Sequence, residues 1–206
     1  MPVKDIGLQY DKIAEQFEDK RSPTIGLCYV NQLLSYIKSK EATPDVKILD
    51  IGCGTGLPLT KHIASRYKRV TGIDISEQML HTAKNHVPDA TFVTADMTTY
   101  TSQEKYHAIL AWDSLFHVSI SRQEDTLRHI ISLLHKDGVF LFTTGGKHGQ
   151  LTDYMFGQLF PYYSLSQEQY MEILTEEKCD ILINECDDPS SHGHRVFCCR
   201  KRITNT

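Results

Sequence analysis

Apolar residues early in the chain recur at Ile6, Tyr10, Ile13 and Phe17, spacings that lay one stripe along a helix. Ser22-Pro23 reads as an N-cap followed by proline at the first helical position, and Leu27, Val30, Leu34 and Ile37 stripe a second helix closed by KSKEATPD. From residue 46 the period changes. Val46, Ile48, Leu49 and Ile51 predict a strand; Leu59, Ile63 and Tyr67 predict a helix reaching about Lys68; and 70–75 predicts a second strand. Ser76 caps a helix carrying Met79, Leu80 and Ala83, which ends near His86 because Pro88 follows. A third strand is expected at 90–94, a loop in MTTYTSQEK, a fourth strand at 106–111 and a fifth at 139–143. Ser121 and Glu124 form a capping box for a helix bearing Leu127, Ile130, Ile131 and Leu134.

Beyond residue 145 the alternation stops. Residues 145–164 are rich in Gly, Tyr, Phe and Met without a strand pattern and read as a long connection, a type of segment that is usually functional or mobile. Ser166 and Gln169 make another capping box, with Tyr170, Ile173 and Leu174 facing inward. Residues 180–186 and 194–199 read as strands joined by DDPSSHG, a link short enough for antiparallel pairing. Strands alternating with helices predict an α/β, doubly wound, mostly parallel sheet preceded by two helices, with ligands at the carboxyl ends of the strands. A length of 206 residues favours one domain, 1–206, with 1–40 and 145–165 as its additions.

The candidate chemistry begins at VKILDIGCGTG. A strand runs into Asp50 and then Gly52-Cys53-Gly54-Thr55-Gly56, after which a helix starts; glycines let a ligand approach the backbone, and the helix start offers free N–H groups. The spacing separates cofactors. Read from Gly52, a dinucleotide fingerprint wants a third glycine where Leu57 stands, and Asp50 beneath the loop repels a pyrophosphate while suiting an ammonium or a sulfonium. Asp74 ends the second strand 22 residues after Gly52, where a carboxylate can accept ribose hydroxyls or simply cap the next helix.

LDIGCGTG, followed by GIDIS at 72–76, TADM at 94–97 and LAWDSLFHV at 110–118, resembles the motif series of the class I S-adenosylmethionine-dependent methyltransferases. The resemblance implies a Rossmann-like seven-stranded sheet whose last strand runs against the others, and S-adenosyl-L-methionine as cofactor. It implies cofactor contacts from Asp50, Gly52, Cys53, Gly54, Gly56 and Asp74, with Ile75 and Met79 lining the adenine side. Asp96 then accepts from the adenine amino group while Met97 packs on the ring. Trp112 sits where the family closes over the cofactor, and equally suits a core anchor. YDKIAEQFEDKR resembles the amino-terminal lid of small-molecule methyltransferases, which would bring Tyr10 and Arg21 to the cofactor; for Phe17, packing on the sheet is an equal reading.

The acceptor side is less determined. A-W-D-S replaces the N-P-P-Y-like string of enzymes that methylate base amino groups. With 22 basic against 26 acidic residues, net −4, this favours a small-molecule acceptor over nucleic acid. Asp113, His117 and His194 are candidate bases; Tyr154, Met155, Tyr162, Tyr163 and His192 are a candidate substrate wall, or a dimer patch in the case of the aromatics. Some of the ten histidines could equally bind a metal, although no specific metal site is assigned. The six cysteines contain no C-x-x-C pair and read as reduced apolar fillers. The absence of a signal-peptide core or a long apolar run leads to the expectation of a cytoplasmic enzyme, monomeric or homodimeric. The competing readings are a non-catalytic cofactor-binding regulator, a methyltransferase acting on a macromolecule, and a nicotinamide-dependent oxidoreductase.

Overall fold

The computed structural model describes residues 3–37, 45–186 and 194–202. Its centre is a seven-stranded sheet in the order β3-β2-β1-β4-β5-β9-β8. The strands are β1 (Lys47–Ile51), β2 (Arg69–Asp74), β3 (Thr91–Thr94), β4 (Tyr106–Ala111), β5 (Leu134–Thr144), β8 (Cys179–Cys186) and β9 (Arg195–Lys201). The first five pair in parallel, and β9 runs antiparallel to both β5 and β8. The chain builds outward from β1 to β3, then returns to start again at β4, so the topological switch point lies between β1 and β4.

Side-chain alternation along the buried strands serves two cores. Leu49, Ile109, Phe140, Phe142 and Phe197 pack with Leu127, Ile130 and Ile131 of α5 (Ile120–Ser132) and with Tyr170, Ile173 and Leu174 of α6 (Gln167–Glu176). Ile48, Leu110, Leu141 and Val196 face Val30, Leu33 and Leu34 of α2 (Leu27–Ser35) and Leu59 and Ile63 of α3 (Leu59–Ala64). The adjacent Cys198 and Cys199 point into opposite cores, as apolar fillers would. The helix α4 (Glu77–His86) starts on Ser76, whose Oγ accepts from the Met79 N–H, and α6 carries the expected capping box. Among the described residues no helix is long and apolar enough to cross a membrane.

Several boundaries move for local reasons. Ser22-Pro23 opens only a turn, and α2 starts after Gly26, whose φ of 70° no larger residue would adopt easily and whose Cβ would lie 2.9 Å from the Trp112 indole. The capping box at Ser121 and Glu124 does not form. Ser119 takes the N-cap position, and Glu124 pairs instead with Arg128 one turn on. The third helix stops at Ala64, where Ser65 donates its hydroxyl back to the His62 carbonyl. The fifth strand begins at Leu134, passing through a register shift opposite Tyr106.

The largest correction concerns 145–164. It is a hairpin, β6 (Gly149–Met155) and β7 (Gln158–Ser164), forming its own two-stranded sheet. The turn is Phe156-Gly157, both at positive φ, the conformation a two-residue hairpin loop of matching twist requires. With Pro161 inside one strand and an exposed outer strand, the pair lacks the clean alternation by which strands are recognised. α1 (Val3–Lys20) lies against α4 and β7; its Ile6, Tyr10 and Phe17 cover the carboxyl ends of β1, β2 and β4, and the hairpin backs it, packing on α1 and on the turn after β4.

Candidate active site

The glycine loop is anchored before any ligand arrives. The Gly52 and Cys53 amides donate to the Ile73 carbonyl, and the Asp74 carboxylate accepts from the Gly54 and Ser76 amides at 2.9 Å each. Gly52 is irreplaceable sterically as well as conformationally. At φ 70° its Cβ would lie 2.3 Å from that of Ser114, whose hydroxyl donates to the Ile51 carbonyl.

The loop forms the floor of a cleft of about 940 Å³, open solvent at its mouth included. Among the described residues four carboxylates line it, Asp50, Asp74, Asp96 and Asp113, against one guanidinium, Arg21. Burial pushes Asp50 up to about 6 despite a 2.6 Å bond from the Thr60 hydroxyl, and burial also raises Asp74, offset by its backbone donors. Such carboxylates are costly to keep ionised without a counter-charge, so the cleft favours a cation. Two polar atoms of lining residues, Thr55 Oγ1 and Trp112 Nε1, are buried without a partner, a further sign that the cleft is shaped for a polar ligand.

Opposite the loop, the roof is tied to the sheet by polar contacts. Tyr10 Oη lies 2.8 Å from His117 Nε2, and His117 Nδ1 lies 2.9 Å from the Pro161 carbonyl of β7. Arg21 Nη2 meets Asp113 Oδ2 at 3.3 Å, and His194 Nδ1 approaches Asp113 Oδ1 at 3.2 Å. Burial works to raise the Asp113 pKa, but the bond from His194 and the charge of Arg21 hold it below the usual carboxylate range. Burial lowers His117 to about 4, so it is neutral near pH 7.

A family model described as a methyltransferase domain matches residues 48–138. The chain is 28% identical over 148 residues to a carboxy-S-adenosyl-L-methionine synthase of Campylobacter fetus subsp. fetus, an alignment covering 69% of this chain and 63% of that protein. It is 30% identical over 145 residues to a trans-aconitate 2-methyltransferase of an Enterobacter species, covering 65% and 56%. It thus spans 63% of the first relative's length and 56% of the second's. The solved structure of magnesium protoporphyrin IX methyltransferase from Synechocystis PCC 6803 superimposes with a TM-score of 0.72 over 98% of each chain at 18% identity, a likeness of fold. The matched span contains the glycine loop, Asp74 and Asp96, whereas α1 and the β6–β7 hairpin lie outside it.

Of the residues singled out in the sequence, Tyr10, Arg21, Asp50, Gly52, Cys53, Gly54, Asp74, Ile75, Met79, Asp96, Met97 and Trp112 line the cleft, as do Asp113 and His117. Gly56 does not; it lets the loop pack on Val87 and Ala83. His194 reaches the cleft only through Asp113. The proposed substrate wall divides. Tyr162 packs on Phe116 and His117, and Met155 packs under α1 with Ile6, Ile13 and Phe160. Tyr154 is 71% exposed, and Tyr163 lies outside the lining, its carbonyl accepting from Gln123. His192 falls outside the described residues.

Sequence reasoning missed Thr55, Ser114 and Val118 on the cleft, and Asp11, which accepts from Ser76 Oγ at 2.6 Å and the Gln78 amide at 3.1 Å. Thr55 left a signal inside the glycine string, and Ser114 and Val118 left one inside LAWDSLFHV, after a buried strand.

Proposed function

We propose that this chain is a methyltransferase that moves the methyl group of S-adenosyl-L-methionine to a small-molecule acceptor. The observation that carries this is the glycine loop at the switch point, set in a cleft with four carboxylates and one guanidinium. The cofactor fits that chemistry. Asp74 would accept from the ribose hydroxyls, Ile75, Met79, Asp96 and Met97 would take the adenine, and Asp50, Gly52, Gly54, Arg21 and Trp112 would hold the amino-acid end. Leu57 and Asp50 oppose a dinucleotide.

When bound, the cofactor supplies a methyl group already activated by its sulfonium, so the protein's task is to hold the acceptor in line and exclude water. Tyr10 and Phe17, backed by the hairpin, cover the cleft for that purpose. A base is needed only for an acceptor that loses a proton; Asp113, backed by His194, could take it directly, whereas His117, whose Nε2 meets Tyr10, could take it only through the Tyr10 hydroxyl. Tyr162, beside His117, is the part of the proposed substrate wall that the packing favours. The whole chain reads as one such domain in the cytoplasm, monomeric or homodimeric, with α1 as its lid and 145–165 as its substrate-side insertion.

Calorimetric titration with S-adenosylmethionine and with its demethylated product tests the reading. Micromolar binding of both, followed by methylation of a member of a small-metabolite panel, is the expected result. Failure of folded protein to bind either would overturn it. Binding with strong salt dependence of acceptor affinity would instead favour a nucleic acid as acceptor.

A further inference from the structure

The contact between Tyr10 and His117 has a direction that the geometry settles. The Pro161 carbonyl can only accept, so His117 Nδ1, 2.9 Å away, carries a proton. His117 is buried and kept neutral, which leaves Nε2 as a bare lone pair. Tyr10 Oη, 2.8 Å from it, must therefore be the donor. A phenol has one proton, and this one is committed.

Packing holds the Tyr10 ring in that arrangement while the roof is closed. It packs edge-on against Phe17 and His117 and tilted on Phe160, with centroids 5.8, 5.5 and 4.7 Å apart. It also lies between the charges of the cleft. Asp74, Arg21, Asp113 and Tyr162 all act on it electrostatically. With the cofactor held by the residues assigned above, Tyr10 would lie between those for its ribose and those for its amino-acid end.

We propose that His117 is a positioning residue: by accepting the hydrogen bond of the Tyr10 hydroxyl it leaves the Tyr10 oxygen an acceptor-only group toward the cleft, which favours the positively charged, methyl-bearing cofactor over its neutral demethylated product. The consequence is a built-in preference for substrate over product at the cofactor site. This rests on the cofactor assigned above, but its tests separate from that assignment.

Affinities for S-adenosylmethionine and S-adenosylhomocysteine, measured on wild type, Tyr10→Phe, His117→Leu and His117→Gln, give the first test. Tyr10→Phe and His117→Leu should each lower the ratio of the two affinities about fivefold or more, chiefly through weaker binding of the charged ligand. His117→Gln, which can still accept from Tyr10, should restore most of the ratio, a rescue that loss of packing alone would not produce. An unchanged ratio in both variants, with both ligands still bound, overturns the proposal and leaves the cofactor assignment standing. Wild type that binds neither ligand overturns both. Nitrogen-15 NMR of the wild-type histidines tests the premise without any variant: His117 should be protonated on Nδ1 and bare on Nε2 near neutral pH, and the opposite tautomer defeats the inference.

Discussion

The floor and the roof of the cleft are built on different principles. The floor is local: Asp74 bonds Gly54 and Ser76, and Gly52 and Cys53 bond Ile73, all within neighbouring strand–turn–helix units of a parallel sheet. The roof is assembled from parts distant in sequence: Tyr10 with His117, Arg21 with Asp113, Asp11 with Ser76, and His117 with Pro161. A floor of this kind is held by the core of the fold, whereas a roof held by a few polar contacts and a small apolar cluster of Ile6, Ile13 and Phe160 can open without unfolding the sheet. Cofactor affinity should therefore depend most on the floor, and ligand discrimination on the roof.

The severest way to break the contrast is Gly52→Ala. A Cβ meeting Ser114 at 2.3 Å, at φ 70°, should cost about 3 kcal/mol of global stability, read from the midpoint of urea unfolding. Asp74→Ala comes next. It leaves two loop amides without their acceptor and should weaken cofactor binding about 100-fold by calorimetry, with a smaller loss of stability. A loss below about threefold would place the floor's contribution elsewhere.

Acid titration sharpens the comparison, because one buried group from each side works in opposite directions. Asp50 in the floor is raised from 3.8 to about 6, so the folded state holds more protons between those values. Its contribution to stability is present at low pH and lost as pH rises through about 6. His117 under the roof is lowered from 6.5 to about 4, so the unfolded state holds more protons there, and its contribution is present above 6.5 and lost as pH falls through about 4. Asp50→Asn should therefore gain stability relative to wild type as pH rises across this range, and His117→Gln should lose it. Chemical unfolding at either end of the window checks both signs. Cofactor binding should also weaken as pH falls through about 6, where Asp50 takes up its proton, and Asp50→Asn should flatten that dependence.

The smallest effect is expected at the rim, where Glu18 of α1 meets His86 of α4 at 3.2 Å with both side chains partly exposed. Glu18→Gln should change unfolding stability by less than about 0.5 kcal/mol. A change well above that would make the rim contact part of the machinery that closes the roof.

What the sequence by itself determined is the part whose information is local. A β-branched run, glycines at fixed spacing, an acid at or just after the end of each of the first four strands and a capping serine specify the parallel sheet, its switch point and the floor, because each signal acts within one strand–turn–helix unit. The final antiparallel pair was also legible from its two apolar runs and the polar link between them. The tertiary structure decided the rest. Residues 145–164 carry too little alternation to declare a hairpin, and their partners, α1 and the turn after β4, are remote. Tyr10 and His117 each read as candidates separately, but only their meeting across 107 residues shows which of them holds the proton. Tyr154 and Met155 are adjacent in the chain, yet one faces solvent and the other packs under α1, since neighbouring residues of a strand point to opposite faces. Sequence pattern specifies elements through short-range physics, whereas the roof depends on contacts that exist only once those elements have packed.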